Sequence, residues 1–227
     1  GSGLSWSDAG AILQRAGRFA APIPLGETMI AAALLAGAGI AIPEGALTFA
    51  DGRALAVDDG LLEGRLRAVA WAHAASHLVV AAGPETDTRL CLIDLDHVET
   101  HPLKTTGRDA RDDVVLRGAK PVATAPLGSA AAIGILELGA LMRASQIAGA
   151  LRRVLELAVD YANTRQQFGR PIGRFQAIQQ SLAQLAAEVA AAEVASAAGW
   201  RARDKNEAGL GEAGYEAAVA RIRCSEA

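Results

Sequence analysis

Aromatic residues are scarce, 4% of a 227-residue chain, and alanine fills much of the 51% apolar share. Alanine loses no side-chain entropy in a helix, so this composition favours closely packed helices. Cysteine is scarcer still. Cys91 and Cys224 stand far apart and form neither a metal-ligand spacing nor a disulfide framework. Both read as small buried hydrophobes of a reducing, cytoplasmic compartment. Basic residues are not in excess. The net charge of -3 and a pI near 5.8 argue against nucleic acid as the main partner, while leaving a local basic pocket open. No apolar run reaches the roughly 18 residues a membrane span needs, and no signal peptide is visible. The 21% of charged residues, against the apolar share, exclude a disordered chain.

What is present divides by period. "SWSDAGAILQRAGRFA" opens with Ser and Asp cap candidates and sets Ile12, Leu13 and Phe19 roughly on one face. "GETMIAAALLAGAG" is a second helix, ended by Gly37 and Gly39. Between 46 and 125 the runs are short: "ALTFA", "ALAVDD", "RLRAVAWA", "HLVVAAG", "RLCLIDLD" and "DDVVLRGAKPVA". That is strand and turn grammar, with Asp51-Gly52 as a hairpin-turn candidate. From about 128 the helical period returns. Phe175, Ile178, Leu182, Leu185 and Val189 alternate by three and four as a bundle-facing stripe. The expected architecture is α+β: N-terminal helices in 1–42, a middle antiparallel β-domain in 43–127, and a C-terminal helical bundle in 128–227. The leading "GSG" and an ending inside a helical pattern lead us to expect a chain shorter than its gene product.

Several motifs fail on context. "GLGEAG" at 209–214 matches G-x-G-x-x-G, but a helix precedes it where the dinucleotide fingerprint needs a strand, so it reads as a loop. His73 and His77 have i,i+4 spacing without the Glu of a zinc helix, and their segment reads as strand, so both are expected to be structural. No Ser-His-Asp order, nucleophile elbow or Glu-x-x-His pair appears.

"RQQFGRPIGRFQAIQ", residues 165–179, is different. Arg offers a rigid donor fork for phosphate oxygens. Phe168 and Phe175 can pack on a flat ring, and Gln176, Gln179 and Gln180 can hydrogen-bond ring nitrogens or carbonyls. A capping account competes: Arg165 at a helix C-terminus, Gly169 as its cap, Pro171 starting the next helix, and the Phe residues in the core. Spacing alone favours the capping account.

"YANTRQQFGRPIGRFQAIQQSLAQLAAEV", residues 161–189, resembles the helical-hairpin signature of acyl-CoA dehydrogenases, Y-x-x-x-R-x-x-F-G-x-P-I-x-x-F-Q-x-I-Q. "GRFAAPIPLGETMIAAALLAGAG" resembles the end of that family's N-terminal helical domain, and "GRLRAVAWAHAASHLVVAA" its middle β-domain. The resemblance implies a flavoprotein that introduces an α,β double bond into an acyl-CoA thioester. It assigns Arg165 to the FAD pyrophosphate of a neighbouring subunit, with Gln167 and Phe168 beside it. Phe175 and Gln176 fall at the adenosine end. It implies a homo-oligomer, or a heteromer with a related subunit as in bacterial sterol breakdown, and an electron-transferring flavoprotein as acceptor. No catalytic base is identified. One branch of the family carries its Glu at the position of Gly139. Glu137 lies about 200° around the helix from there. The common branch carries it near the C-terminus, beyond residue 227. Ala140 stands where an Arg is often found, with Arg143 out of register. "PEGALTFADGRA" replaces the family's Pro/Gly/Ser-rich flavin loop. The alternative is a non-catalytic partner subunit that lends Arg165 to another chain's flavin.

Overall fold

The computed structural model describes residues 5–84, 87–107, 109–127, 129–205 and 211–227. By contacts the chain forms two compact units, one of 1–22 with 140–227, the other of 23–139.

The unit of 23–139 carries helix α2 (Leu25–Gly37), strands β1 (Leu47–Asp51), β2 (Ala56–Asp58), β3 (Leu61–Ala70), β4 (His77–Ala82), β5 (Arg89–Asp94), β6 (Glu99–Pro102), β7 (Arg111–Ala119) and β8 (Ala123–Pro126), and the start of α3 (Ser129–Thr164). Two four-stranded sheets form, in the orders β1-β4-β5-β8 and β2-β3-β7-β6. One apolar core joins Leu62, Leu66, Val69, Val114 and Leu116 of the second sheet to Leu78, Val80, Cys91 and Ile93 of the first. The opposite face of the first sheet, Leu47, Val79, Ala81, Leu90 and Leu92, packs on Ala31 and Leu35 of α2 and Ile135 of α3. Both faces of β4 and β5 are therefore buried, which is why their sequences are continuous apolar runs. Every pairing is antiparallel except β1 with β4.

That parallel pair corrects the hairpin expectation at Asp51-Gly52. Gly52 N–H bonds Ala81 O at 2.9 Å, continuing the β1–β4 ladder, and the chain then crosses to the other sheet. The two-residue hairpin is instead Asp59-Gly60 between β2 and β3, where φ of 46° and 76° suit a type I′ turn. The strand expectation around the histidines holds only for His77, which opens β4; His73 lies in a 3₁₀ turn, Ala72–Ala74.

Two buried carboxylates on β7 hold that corner. Asp112 accepts from His73 N at 3.1 Å and meets His73 Nδ1 at 2.8 Å. Asp113 accepts from Ala68 N at 2.9 Å and is paired with Arg65. Ala68 and Trp71, between these anchors, have φ of 54° and 57°. Such left-handed conformations persist only where surrounding contacts impose them.

The other unit packs α1 (Trp6–Arg18) with the remainder of α3, α4 (Gln176–Lys205) and α5 (Gly211–Glu226). The linear segment 1–42 places α1 and α2 together; by contacts α1 joins the bundle and α2 the sheets. α1 has a capping box between Ser5 and Asp8, and Asp204 of α4 accepts from Trp6 N at 2.7 Å and Ser7 N at 3.1 Å. Trp6 stacks on the buried Trp200 at 5.9 Å. A Cβ on Gly149 would lie 1.9 Å from Gln14 O, and one on Gly17 2.0 Å from Gln146 O, so the α1 and α3 backbones approach closely where one partner of each contact is glycine. This contact sets the buried face of α1: Gly10 and Leu13 are inside, whereas Ile12 and Phe19 of the expected stripe are exposed. On α4 the expected stripe is half-buried through Leu185 and fully buried only at Val189, continuing through Ala192, Ser196 and Trp200. Of "GLGEAG", 209 and 210 lie outside the described residues, and Gly211–Gly214 belong to α5.

Candidate functional site

Between α3 and α4 the chain makes a miniature β-hairpin. Thr164 Oγ1 bonds Asp160 O at 3.0 Å and Tyr161 O at 3.2 Å, side-chain bonding of the kind that disfavours further helix. Arg165 N still donates to Tyr161 O at 2.8 Å, while Arg165 O accepts from Ile172 N at 2.9 Å and so closes the base of the hairpin. Strands β9 (Gln166–Gln167) and β10 (Arg170–Pro171) pair above it. The two-residue tip is Phe168-Gly169, with φ of 52° and 79°. Gly169 thus belongs to a type I′ turn and does not cap α3, which corrects that part of the capping account. Phe168 in the left-handed region is uncommon for a bulky side chain.

After a 3₁₀ turn, Ile172–Arg174, α4 begins at Gln176. Its first helical bond runs from Gln179 N to Phe175 O at 3.1 Å, so the amides of the first turn lead the helix without intrahelical partners. Gln179 Nε2 is tied to Gly173 O at 3.0 Å.

The structure brings some of the expected residues together. Phe168 and Phe175 meet edge to face, 6.0 Å between centroids at 88°. Phe168 is 90% exposed, so neither ring contact nor turn hides it in a core, contrary to the capping account. Gln167 lies on β9 and Gln176 on the first turn of α4, both exposed. Arg165 is exposed at the base of the hairpin, and among the described residues it makes no side-chain hydrogen bond or ion pair. Segment 165–180 holds three arginines and no Asp or Glu, a concentrated positive charge on a chain of net charge -3. Arg170, which motif reasoning did not single out, sits with its Cζ 4.3 Å from the Phe175 centroid. The signal available was an Arg five residues before a Phe across a Pro-containing turn, too common a pattern to stand out.

Phe49 lines the Gly139 position at ordinary contact distance. A Cβ built there would touch Phe49 of β1 at 3.4 Å and 3.5 Å, and Glu137 is half-buried on the same helix. Arg143 is turned to Gln146, at 2.8 Å. His77 Nδ1 meets Ser76 Oγ at 3.0 Å. Among the described residues no three His, Cys, Asp or Glu side chains gather as a metal site. None of the described helices is long and apolar enough to cross a membrane.

Residues 127–227 match the family "Acyl-CoA dehydrogenase, C-terminal domain". Across its whole length the chain is 32% identical to acyl-CoA dehydrogenase IpdE2 of Mycobacterium tuberculosis, covering 64% of that protein. It is 31% identical to IpdE2 of Mycolicibacterium smegmatis over 85% of the chain and 56% of the relative. The chain thus spans about three-fifths of the length of these relatives. Among solved structures, a variant of the Tcur3481–Tcur3483 steroid ACAD superposes with a TM-score of 0.84 at 28% identity, over 98% of this chain and 67% of that one. The ChsE4–ChsE5 complex of Mycobacterium tuberculosis gives 0.82 at 28% identity, over 100% and 69%.

Proposed function

Because the chain belongs to the acyl-CoA dehydrogenase family, we propose that it is a flavoprotein subunit whose α3–α4 hairpin holds FAD for the α,β-dehydrogenation of an acyl-CoA thioester. The observation that carries this reading is the hairpin itself: three guanidinium groups with no carboxylate, two meeting aromatic rings, and a turn of defined backbone. These residues suit the cofactor chemically. A pyrophosphate wants charge-assisted donors, which Arg165 offers. Gln167 and Phe168 stand beside Arg165, and an adenosine wants a flat apolar face and an amide partner, which Phe175 and Gln176 offer. Bound FAD supplies the acceptor for the hydride leaving the β-carbon. The chain's own part is to bind and orient. Arg165 would neutralise phosphate charge, and Phe175 would hold the adenosine end.

The hairpin stands at the surface, so a second chain is needed to exclude water from a cofactor bound there. The proposed assembly is an oligomer, and an electron-transferring flavoprotein is the proposed acceptor. A steroid-derived acyl-CoA is the substrate class of choice, because a steroid ACAD shares the fold closely.

One observation favours a second reading within this frame. Residue 139 is glycine, so no carboxylate arises there to take the α-proton. A subunit without that group would lend its hairpin to the flavin of a related subunit. The relative solved as a two-protein complex supports trying such a partner.

The test is a visible spectrum of the purified full-length protein, with FAD and then a panel of acyl-CoAs, alone and with the related subunit. Bleaching by the protein alone supports the catalytic reading. Bleaching only with the partner supports the second. A protein that takes up no flavin in either setting refutes both.

A further inference from the structure

Arg170 lies outside the expected set of cofactor contacts, yet its side chain is held by the hairpin. Its guanidinium carbon sits 4.3 Å from the Phe175 centroid, and Phe175 is met edge-on by Phe168 at 6.0 Å. The backbone beneath is fixed as well, since Arg170 pairs with Gln167 across the type I′ turn. A guanidinium carries five N–H donors in its plane and no acceptor. Packing its face on an aromatic ring uses none of those donors, so the contact restricts the side chain while leaving its hydrogen bonding for a ligand. Among the described residues Arg170 makes no hydrogen bond or ion pair, and segment 165–180 has no acidic residue to compete. Part of the ordering that a free Arg would undergo on binding is supplied by this contact, which lowers the cost of capturing an anion.

We propose that Arg170 is a second anion-binding guanidinium of the hairpin, pre-oriented on Phe175 to take a phosphate group of a nucleotide ligand. The choice of a nucleotide rests on the flavin-binding reading; the pre-orientation does not. The phosphate comes from FAD or from the CoA portion of the thioester, and both present the same oxygens.

The experiment is equilibrium titration of the purified full-length protein with FAD, riboflavin and CoA at two salt concentrations, together with thermal midpoints. Arg170→Gln removes the charge and keeps a planar amide for the Phe175 ring. Arg170→Lys keeps the charge and loses the fork. Arg170→Gln weakens FAD binding by about tenfold or more, the scale of one charge-assisted hydrogen bond. It flattens the salt dependence and leaves riboflavin binding and the thermal midpoint unchanged. Arg170→Lys recovers part of the loss. Phe175→Leu weakens FAD binding too, through the adenosine contact and the lost support of Arg170, so the double variant loses less than the sum of the two single losses. If CoA binding falls instead of FAD binding, the phosphate taken is the thioester's and the inference stands. A wild-type protein that binds FAD, with Arg170→Gln binding both ligands equally well, overturns the inference and leaves the flavin reading intact. Equal losses for FAD and riboflavin, or a lowered thermal midpoint, also overturn it by making Arg170 structural. A wild-type protein that binds neither FAD nor CoA, alone or with the related subunit, overturns both.

Discussion

Replacing Gly169 with Ala isolates the backbone of the hairpin tip. Gly169 has φ +79°, and nothing lies within 4 Å of where a Cβ would stand. The substitution therefore introduces no clash, and its effect is conformational. An Ala in the left-handed region costs about 1–2 kcal/mol. Stiffening the unfolded chain returns about 0.4–1 kcal/mol. The net is a destabilisation of roughly 1 kcal/mol, which for a chain of this size lowers the melting temperature by about 2–4 °C. The same energy changes the equilibrium constant between formed and unformed turn by about fivefold. If Arg165 and Arg170 bind flavin only from the formed hairpin, the dissociation constant for FAD rises by the fall in the formed fraction, at most about fivefold and far less where the turn stays mostly formed. Calorimetric melting and flavin titration of the same sample read both numbers. A Gly169→Ala protein that melts and binds FAD as the wild type does would refute the turn geometry on which the site is built.

Other regions give independent expectations. Asp204→Ala removes the acceptor for Trp6 N and Ser7 N at the start of α1, and should cost about 1–2 kcal/mol in thermal unfolding, with Asp204→Asn costing less. Gly149→Ala forces a Cβ to 1.9 Å from Gln14 O and should destabilise by about 3 kcal/mol or more, as overpacking against backbone does. Gly37→Ala, with open space around its Cβ, should be neutral or stabilising by up to about 1 kcal/mol in the same assay. The Ala68 amide, helped by Arg65 and opposed by burial, holds the Asp113 carboxyl below its ordinary value. A carboxyl lowered in the folded state stabilises fully above the ordinary carboxylate pKa of about 4, and that contribution is lost as pH falls through the lower folded value. Acid unfolding of Asp113→Asn should therefore show a shallower fall over that range than the wild type.

The helices were readable because their determinants are local. Ser5 and Asp8 make the capping box that their spacing suggests, and "HLVVAAG" and "RLCLIDLD" become strands because both faces are buried. Strands β6 and β8 have four residues each and only partial burial, so no alternation announced them. The chain has two Asp-Gly pairs in this region, at 51–52 and 59–60, and only the second is flanked by strands that pair with each other. That distinction depends on β1 finding β4 some thirty residues away. His73 leaves the strand period because Asp112, distant in sequence, binds its amide and ring. At the site, the family resemblance singled out Arg165, Gln167, Phe168, Phe175 and Gln176, which spacing alone left to a capping account, and they fall on the turn between α3 and α4. Their left-handed tip and the Arg170–Phe175 contact are products of chain reversal, which no residue spacing encodes.

The most direct measurement of the central claim is FAD binding at equilibrium by the wild-type protein and by Arg165→Ala, with melting curves to establish equal folding. The account predicts a wild type that retains flavin and an Arg165→Ala protein whose affinity is weaker by about tenfold or more, with the same melting temperature. A wild type that stays colourless in excess FAD both alone and with the related subunit, or an Arg165→Ala protein as yellow as the wild type, would contradict it.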